Sequence, residues 1–179
     1  MIDQGILEHV PRGGSNWASP IVVLKKKDGD LRICGDYKVG VNHKICTDPY
    51  PIPDVETVLH DLAGCKYFRK IYLESAYNQI QIDEKFQEIT TINTLIGLLK
   101  WCRMPYGIKT ASSIFQRAIE NVLTWQVENM IIYQDDILLG AVNLEELQIL
   151  KKLQDAGMSI NEEKCVFNCE SISYLGLQI

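Results

Sequence analysis

Two short apolar runs, Met130 to Tyr133 and Ile137 to Leu139, are separated only by Gln134-Asp135-Asp136. Strand-prone runs with so brief a polar break read as the arms of a β-hairpin carrying two adjacent carboxylates at its tip. An otherwise apolar hairpin has little reason to place charge there unless both groups are exposed. Read as structure, the pair is an Asp-rich turn. Read as chemistry, it offers hard oxygen ligands to a divalent cation such as Mg²⁺, the ion that two-metal phosphoryl transfer holds against substrate phosphates. Adjacent residues of an extended chain face opposite ways, so a metal site built here calls for another carboxylate from a neighbouring strand.

The rest of the chain alternates helical and strand patterns. Ile21 to Lys25 and Leu31 to Asp36 are β-prone runs joined across Lys27-Asp28-Gly29-Asp30, a second hairpin signal. Pro49-Tyr50-Pro51-Ile52-Pro53 is a stiff segment that reads as a subdomain boundary. Beyond it Val55, Val58, Leu59 and Leu62 recur at helical spacing behind Asp54, a helix-capping residue type. Lys66 to Leu73, Thr90 to Ile92 and Leu98 to Cys102 are strand-like. Phe115, Ala118, Ile119 and Val122 predict one stripe of a helix over Ser112 to Leu123, and Leu144, Leu147, Leu150 and Leu153 predict another that stops at Gly157. Helices interleaved with hairpins imply an α+β fold with a mainly antiparallel sheet packed on helices.

At 179 residues, 46% hydrophobic and 23% charged, the chain is about one globular domain. No apolar run approaches the ~20 residues that span a bilayer, and Met1 to Gly5 carries no secretory pattern, so the expectation is an intracellular protein, in cytoplasm or nucleus, without a membrane segment. Six cysteines at irregular spacing, with no Cys-x-x-Cys, read as small buried hydrophobes rather than zinc ligands. The formal charge of −5 is unevenly spread: Lys25 to Lys44 holds six basic and three acidic residues, whereas Glu128 to Glu170 holds nine acidic and three basic ones. This excludes a uniformly basic nucleic-acid binder. It suits a protein that meets phosphates at one end and cations at the other.

Tyr133-Gln134-Asp135-Asp136-Ile137 resembles the Tyr-x-Asp-Asp hairpin of reverse transcriptases, and its surroundings resemble those of gypsy-type LTR retrotransposons. Trp17 to Gly29, Arg32 to Tyr37, Tyr50 to Pro53, Tyr67-Phe68, Ser75 to Ile80, Met104 to Gly107, Phe115-Gln116, Ala156-Gly157, Lys164-Cys165 and Tyr174 to Gly176 resemble the family blocks in order and near their usual spacing. The resemblance spans essentially residues 1–179. It implies the fingers and palm of a right-handed polymerase fold, with fingers from about 1–53 and part of 83–103 and the remainder palm, and no thumb, connection or RNase H domain. It also implies an RNA-directed DNA polymerase acting on template-primer and deoxynucleotide with Mg²⁺. By the same resemblance Asp135 and Asp136 are catalytic metal ligands. Lys26 and Arg32 meet the incoming triphosphate, Tyr77 is the aromatic gate beneath the sugar, and Tyr106, Gly107, Tyr174 and Gly176 belong to template and primer platforms. Each has a plainer reading as a solvated basic hairpin, a half-buried tyrosine or a turn.

One departure from the family pattern falls on the metal site itself. The family's third metal-binding Asp lies within a Leu-Asp-Leu pattern, where this chain reads Ile71-Tyr72-Leu73. A neutral phenol is a poor Mg²⁺ ligand and fills the space of the ions. Glu74 lies two residues on, about 6.6 Å away along a strand, too far to substitute without a register change. Ser112 stands where Pro is usual and Leu177 where His is usual. The expectation is therefore a degenerate copy, impaired in catalysis, whose hairpin turn lies beside the strand bearing Tyr72. The alternatives are a non-catalytic domesticated module that binds nucleic acid or a protein, and a functionless remnant. The sequence leaves the oligomeric state open.

Overall fold

The computed structural model describes residues 1–12, 14–25, 29, 31–51, 60–123, 129–142, 148–174 and 176–179. Its elements begin with β1 (Leu7–His9), β2 (Ile21–Lys25), β3 (Leu31–Gly35), α1 (Val41–Lys44) and β4 (Tyr67–Tyr72). After a 3₁₀ turn at Ala76–Gln79 come α2 (Glu84–Ile89), β5 (Ile92–Thr94), β6 (Gly97–Trp101), α3 (Ala111–Leu123), β7 (Met130–Tyr133), β8 (Asp136–Ala141) and α4 (Gln148–Asp155). A 3₁₀ turn at Glu162–Lys164 then leads to β9 (Val166–Cys169), β10 (Ser173–Tyr174) and β11 (Leu177–Gln178). Among the described residues no helix is long and apolar enough to cross a membrane. The chain divides into two compact units, Met1–Asp48 with Tyr77–Ser112, and Pro49–Ala76 with Ser113–Ile179.

The first unit holds the β2–β3 hairpin, paired from Ile21↔Gly35 to Lys25↔Leu31, and a three-stranded antiparallel sheet ordered β1-β6-β5. Its core gathers Leu7, Tyr37, Val41, Ile92, Leu99 and Trp101. The β2–β3 hairpin stands outside that core, with Val22, Val23, Leu24 and Leu31 exposed. The short α2 escapes the sequence reading because six residues give too brief an apolar period. Its start is nonetheless set by chemistry, since the Asp83 carboxylate accepts the Phe86 N–H at 3.0 Å.

The second unit is built on a four-stranded antiparallel sheet ordered β7-β8-β4-β9. Strand β8 lies in the interior of the sheet, and Ile137, Leu138, Leu139 and Gly140 are buried in succession, as a strand covered on both faces requires. Leu62, Phe68, Ile131, Leu138, Ile172 and Tyr174 form one contiguous cluster. Helix α3 buries Phe115, Gln116, Ile119 and Leu123, a face rotated from the expected stripe of Phe115, Ala118, Ile119 and Val122. The rotation follows a polar demand: the Gln116 amide donates to the Ile132 carbonyl at 2.8 Å and to Glu120 at 2.7 Å, drawing position 116 inward. Val55, Val58, Leu59, Leu144 and Leu147, read as helical, lie outside the described residues. Helix α4 ends before Gly157, whose φ of +71° suits a helix stop.

Candidate active site

The tip of the β7–β8 hairpin is a two-residue turn, because Tyr133 pairs with Asp136 and leaves only Gln134 and Asp135 between the strands. Gln134 takes the left-handed conformation, φ +54°, that such a tight turn asks of its first residue. The turn is tied to the neighbouring strand: β4 pairs with β8 so that Tyr72 lies directly opposite Asp136, and the Leu73 N–H donates to the Asp135 carbonyl at 2.9 Å. Tyr72, Asp135 and Asp136 therefore meet, as the sequence reading expected.

Their side chains are engaged with one another and with two lysines. The Tyr72 hydroxyl donates to Asp135 Oδ2 at 2.5 Å. Lys70 lies two residues before Tyr72 on the same face of β4, and its ammonium is 2.8 Å from Asp136 Oδ2. Lys164 is the last residue of the 3₁₀ turn capped by Asn161 and places its Nζ 4.5 Å from the centroid of the Tyr72 ring. The Tyr72 N–H donates to Cys165 Sγ at 3.3 Å. Two carboxylates thus face two ammonium groups within one cluster. Beneath it Tyr174 is buried, with the Lys70 ammonium 5.5 Å from its ring centroid. The Tyr174 hydroxyl and Asp136 Oδ1 are buried without a hydrogen-bond partner among the described residues.

Burial pushes the Asp136 carboxyl above its ordinary value of 3.8, against the opposing pull of Lys70, while Asp135 adds a further upward push. The folded chain therefore holds this proton to higher pH than the unfolded chain does. Stability from Asp136 is fully present below 3.8 and declines as pH rises through the elevated folded value. Asp136→Asn should remove that decline, which urea-unfolding midpoints collected from about pH 3.5 to 7 for both chains will show. Equal pH slopes in the two chains would refute it.

This donor set does not fit a pair of divalent cations. Such ions need several oxygen ligands each, from carboxylates on more than one element. Here β4 offers a phenol that is already bonded to Asp135, and Lys70 takes one oxygen of Asp136. Among the described residues no group of three or more His, Cys, Asp or Glu side chains could hold a metal ion. Glu74 does not make up the deficit: its Oε2 accepts from the Asn161 amide at 2.6 Å, and the β4–β8 register runs unshifted to Tyr72↔Asp136.

The other residues singled out from the sequence fall into separate places. In the first unit the Arg32 guanidinium carbon lies 4.8 Å from the Tyr106 ring centroid, and the Tyr106 and Tyr77 rings are 5.0 Å apart at 41°. Gly107 has a φ of +98°, and a Cβ there would meet the Gly35 carbonyl oxygen at 2.7 Å, so only glycine allows this approach. Lys26 lies outside the described residues. In the second unit Tyr174 pairs with Leu177 across the β10–β11 hairpin, whose turn contains Gly176 at φ +83°. The sequence reading gave no role to Lys70 or to Lys164. Lys70 was legible, being two residues from Tyr72 on one strand, whereas Lys164 reaches the cluster only through its capped turn.

Residues 24–179 match the family described as reverse transcriptase (RNA-dependent DNA polymerase). The chain is 35% identical over 174 residues to the retrovirus-related Pol polyprotein from transposon gypsy of Drosophila melanogaster, covering 90% of this chain and 17% of that protein. It is 33% identical over 174 residues to the uncharacterized protein K02A2.6 of Caenorhabditis elegans, covering 93% of this chain and 14% of that protein. It thus spans only 14–17% of these two curated relatives. Among solved structures it is similar to a foamy viral protease–reverse transcriptase in complex with double-stranded DNA, with a TM-score of 0.89 at 25% identity over 99% of this chain and 31% of that one. A foamy viral protease–reverse transcriptase in complex with an RNA/DNA hybrid shares the fold, with a TM-score of 0.85 at 24% identity over 99% of this chain and 24% of that one. Two units of helices and antiparallel sheets, with an Asp-Asp hairpin turn beside a central strand, are the fingers–palm arrangement of right-handed polymerases, and the chain belongs to the reverse transcriptase (RNA-dependent DNA polymerase) family.

Proposed function

We propose that this is the fingers and palm of a gypsy-type retrotransposon reverse transcriptase, in a degenerate copy that no longer supports RNA-directed DNA synthesis. The observation that carries the reading is Tyr72: the side chain on β4 opposite Asp136 is a phenol donating to Asp135, where the family pattern has a third carboxylate. Asp135 and Asp136 are then the remnant of the Mg²⁺ site. Arg32 and Tyr77, with Lys26, form the nucleotide-facing set, and Tyr106, Gly107, Tyr174 and Gly176 are template and primer platforms. Fingers come from about 1–53 and part of 83–103, and palm from the remainder, a division that the two compact units support in outline. Template-primer and deoxynucleotide are the partners, in cytoplasm or nucleus. The gypsy relative and the two nucleic-acid complexes of similar fold support this assignment.

A second reading, a non-catalytic module that still binds nucleic acid, is favoured by one feature: Lys25 and Arg32 remain exposed on the β2–β3 hairpin. Binding should be weak and mainly electrostatic, because the rest of the chain is acidic. Affinity of the purified chain for a labelled primer–template should fall steeply as salt is raised from about 50 to 200 mM, and neutralising Lys25, Lys26, Lys27 and Arg32 together should flatten that slope. Binding that ignores salt, or that survives the fourfold variant, would remove this patch from the interface. Primer extension by the unmodified chain would overturn the first reading instead.

A further inference from the structure

Resting on the nucleotide-facing reading of Arg32 and Tyr77, we infer that Tyr106 is a positioning residue that holds the Arg32 guanidinium and the Tyr77 ring in one arrangement, so that phosphate recognition and sugar discrimination act together. The backbone around Tyr106 is held from three sides within the first unit. The Asn78 amide donates to the Met104 carbonyl at 3.0 Å and the Met104 N–H to the Ile80 carbonyl at 2.8 Å, which ties it to the turn that carries Tyr77. Gly107 presses against the Gly35 carbonyl, three residues along β3 from Arg32. The Asn42 amide donates to the Gly107 carbonyl at 2.8 Å, and its Oδ1 accepts the Lys109 N–H at 2.8 Å.

From this fixed base the Tyr106 ring meets both functional groups, Arg32 at 4.8 Å and Tyr77 at 5.0 Å. Arg32 is exposed on a hairpin that stands outside the core, so without a stacking partner its long side chain would sample many rotamers. A ring beneath a guanidinium reduces that freedom and favours one plane, which lowers the ordering cost when an anion arrives. Tyr77 is half-buried and gains a neighbour against which its own ring cannot swing away. Arg32 and Tyr77 are thereby linked through a side chain that need touch no ligand itself.

The test uses the full chain on a DNA hairpin primer–template with a dideoxy terminus, so that binding is read without chemistry, and compares the affinities for matched dGTP and GTP. Tyr106→Phe keeps the ring and should stay within about twofold of the unmodified chain. Tyr106→Leu should weaken dGTP binding by roughly twofold to thirtyfold, the range spanned by a cation–π contact, and should bring the preference for dGTP over GTP towards unity. Arg32→Lys retains the charge but loses the stacking plane, and it leaves Tyr77 itself unaltered. If the coupling is real it too should lower the dGTP:GTP preference, and this second variant keeps the test open should Tyr106→Leu fail to fold. A preference untouched by Arg32→Lys, or by a folded Tyr106→Leu chain, would overturn the inference and leave the nucleotide-facing reading standing. Failure of the unmodified chain to bind either nucleotide would overturn both.

Discussion

Given a primer–template, all four deoxynucleotides and Mg²⁺, the chain should produce no detectable extension. Two divalent cations brought against Asp135 and Asp136 would face a cluster in which Lys70 and Lys164 already supply two positive charges, and in which β4 contributes a phenol in place of a carboxylate. At such distances like charges repel strongly unless oxygen ligands intervene. Preorganised electrostatic groups of this kind are typically worth roughly 10²- to 10³-fold each in rate, so losing one takes synthesis below the range of an ordinary assay. Tyr72→Asp should restore a third carboxylate and, with it, a Mg²⁺-dependent rise in melting temperature that the unmodified chain lacks. It should recover little synthesis, because Lys70 still engages Asp136 and Lys164 still adds a positive charge to the cluster. Robust Mg²⁺-dependent synthesis by the unmodified chain, abolished by Asp135→Asn, would show instead that a carboxylate outside the described cluster completes the site.

Gly35→Ala should be the most damaging single methyl group added to the first unit. A Cβ at this position would lie 2.2 Å from Tyr37 Cζ, 2.4 Å from Cε2 and 2.5 Å from the hydroxyl oxygen. The ring cannot move aside easily, since it is 1% exposed and its hydroxyl donates to the Thr90 carbonyl at 2.9 Å. Displacing it combines overpacking with a buried carbonyl left bare, for an expected cost of about 3 kcal/mol or more. The attribution can be checked by a double-mutant cycle. In a Tyr37→Ala background the space is vacant, and adding Gly35→Ala should cost under about 1 kcal/mol by urea unfolding. Additive losses in the cycle would place the damage elsewhere.

The hairpin around Asp135 and Asp136 was legible because its two apolar arms are separated by so little that hardly any other connection is open to the chain. The pairing of that hairpin with β4 was not readable from local pattern. Tyr72 and Asp136 are far apart in sequence, and their register is set by burial on both faces of the sheet, so the resemblance to a family supplied it. Strand β9 was missed for a different reason: its pairing with β4 shifts register between Phe68 and Lys70, and Asn168 sits at φ +55° within it, which breaks the alternation that a pattern search relies on. The stack of Arg32, Tyr106 and Tyr77 could be named residue by residue from the family blocks. That the three touch one another depends on Gly107 closing against Gly35, a contact that no spacing rule contains.

The contacts around Tyr72 also bear on how the palm folds. Adjacent carboxylates held together without counter-charge would repel, and a site built that way leans on a bound ion for its stability. In this chain Asp135 is held by a phenol and Asp136 by an ammonium group, both from β4 and both arriving as that strand pairs with β8. Both partners, one a hydrogen-bond donor and one a counter-charge, are covalently part of the polypeptide. The Asp-Asp turn should therefore form as the sheet zips up, indifferent to chelators and to the divalent content of its surroundings, because the groups that hold its two carboxylates arrive with β4 itself.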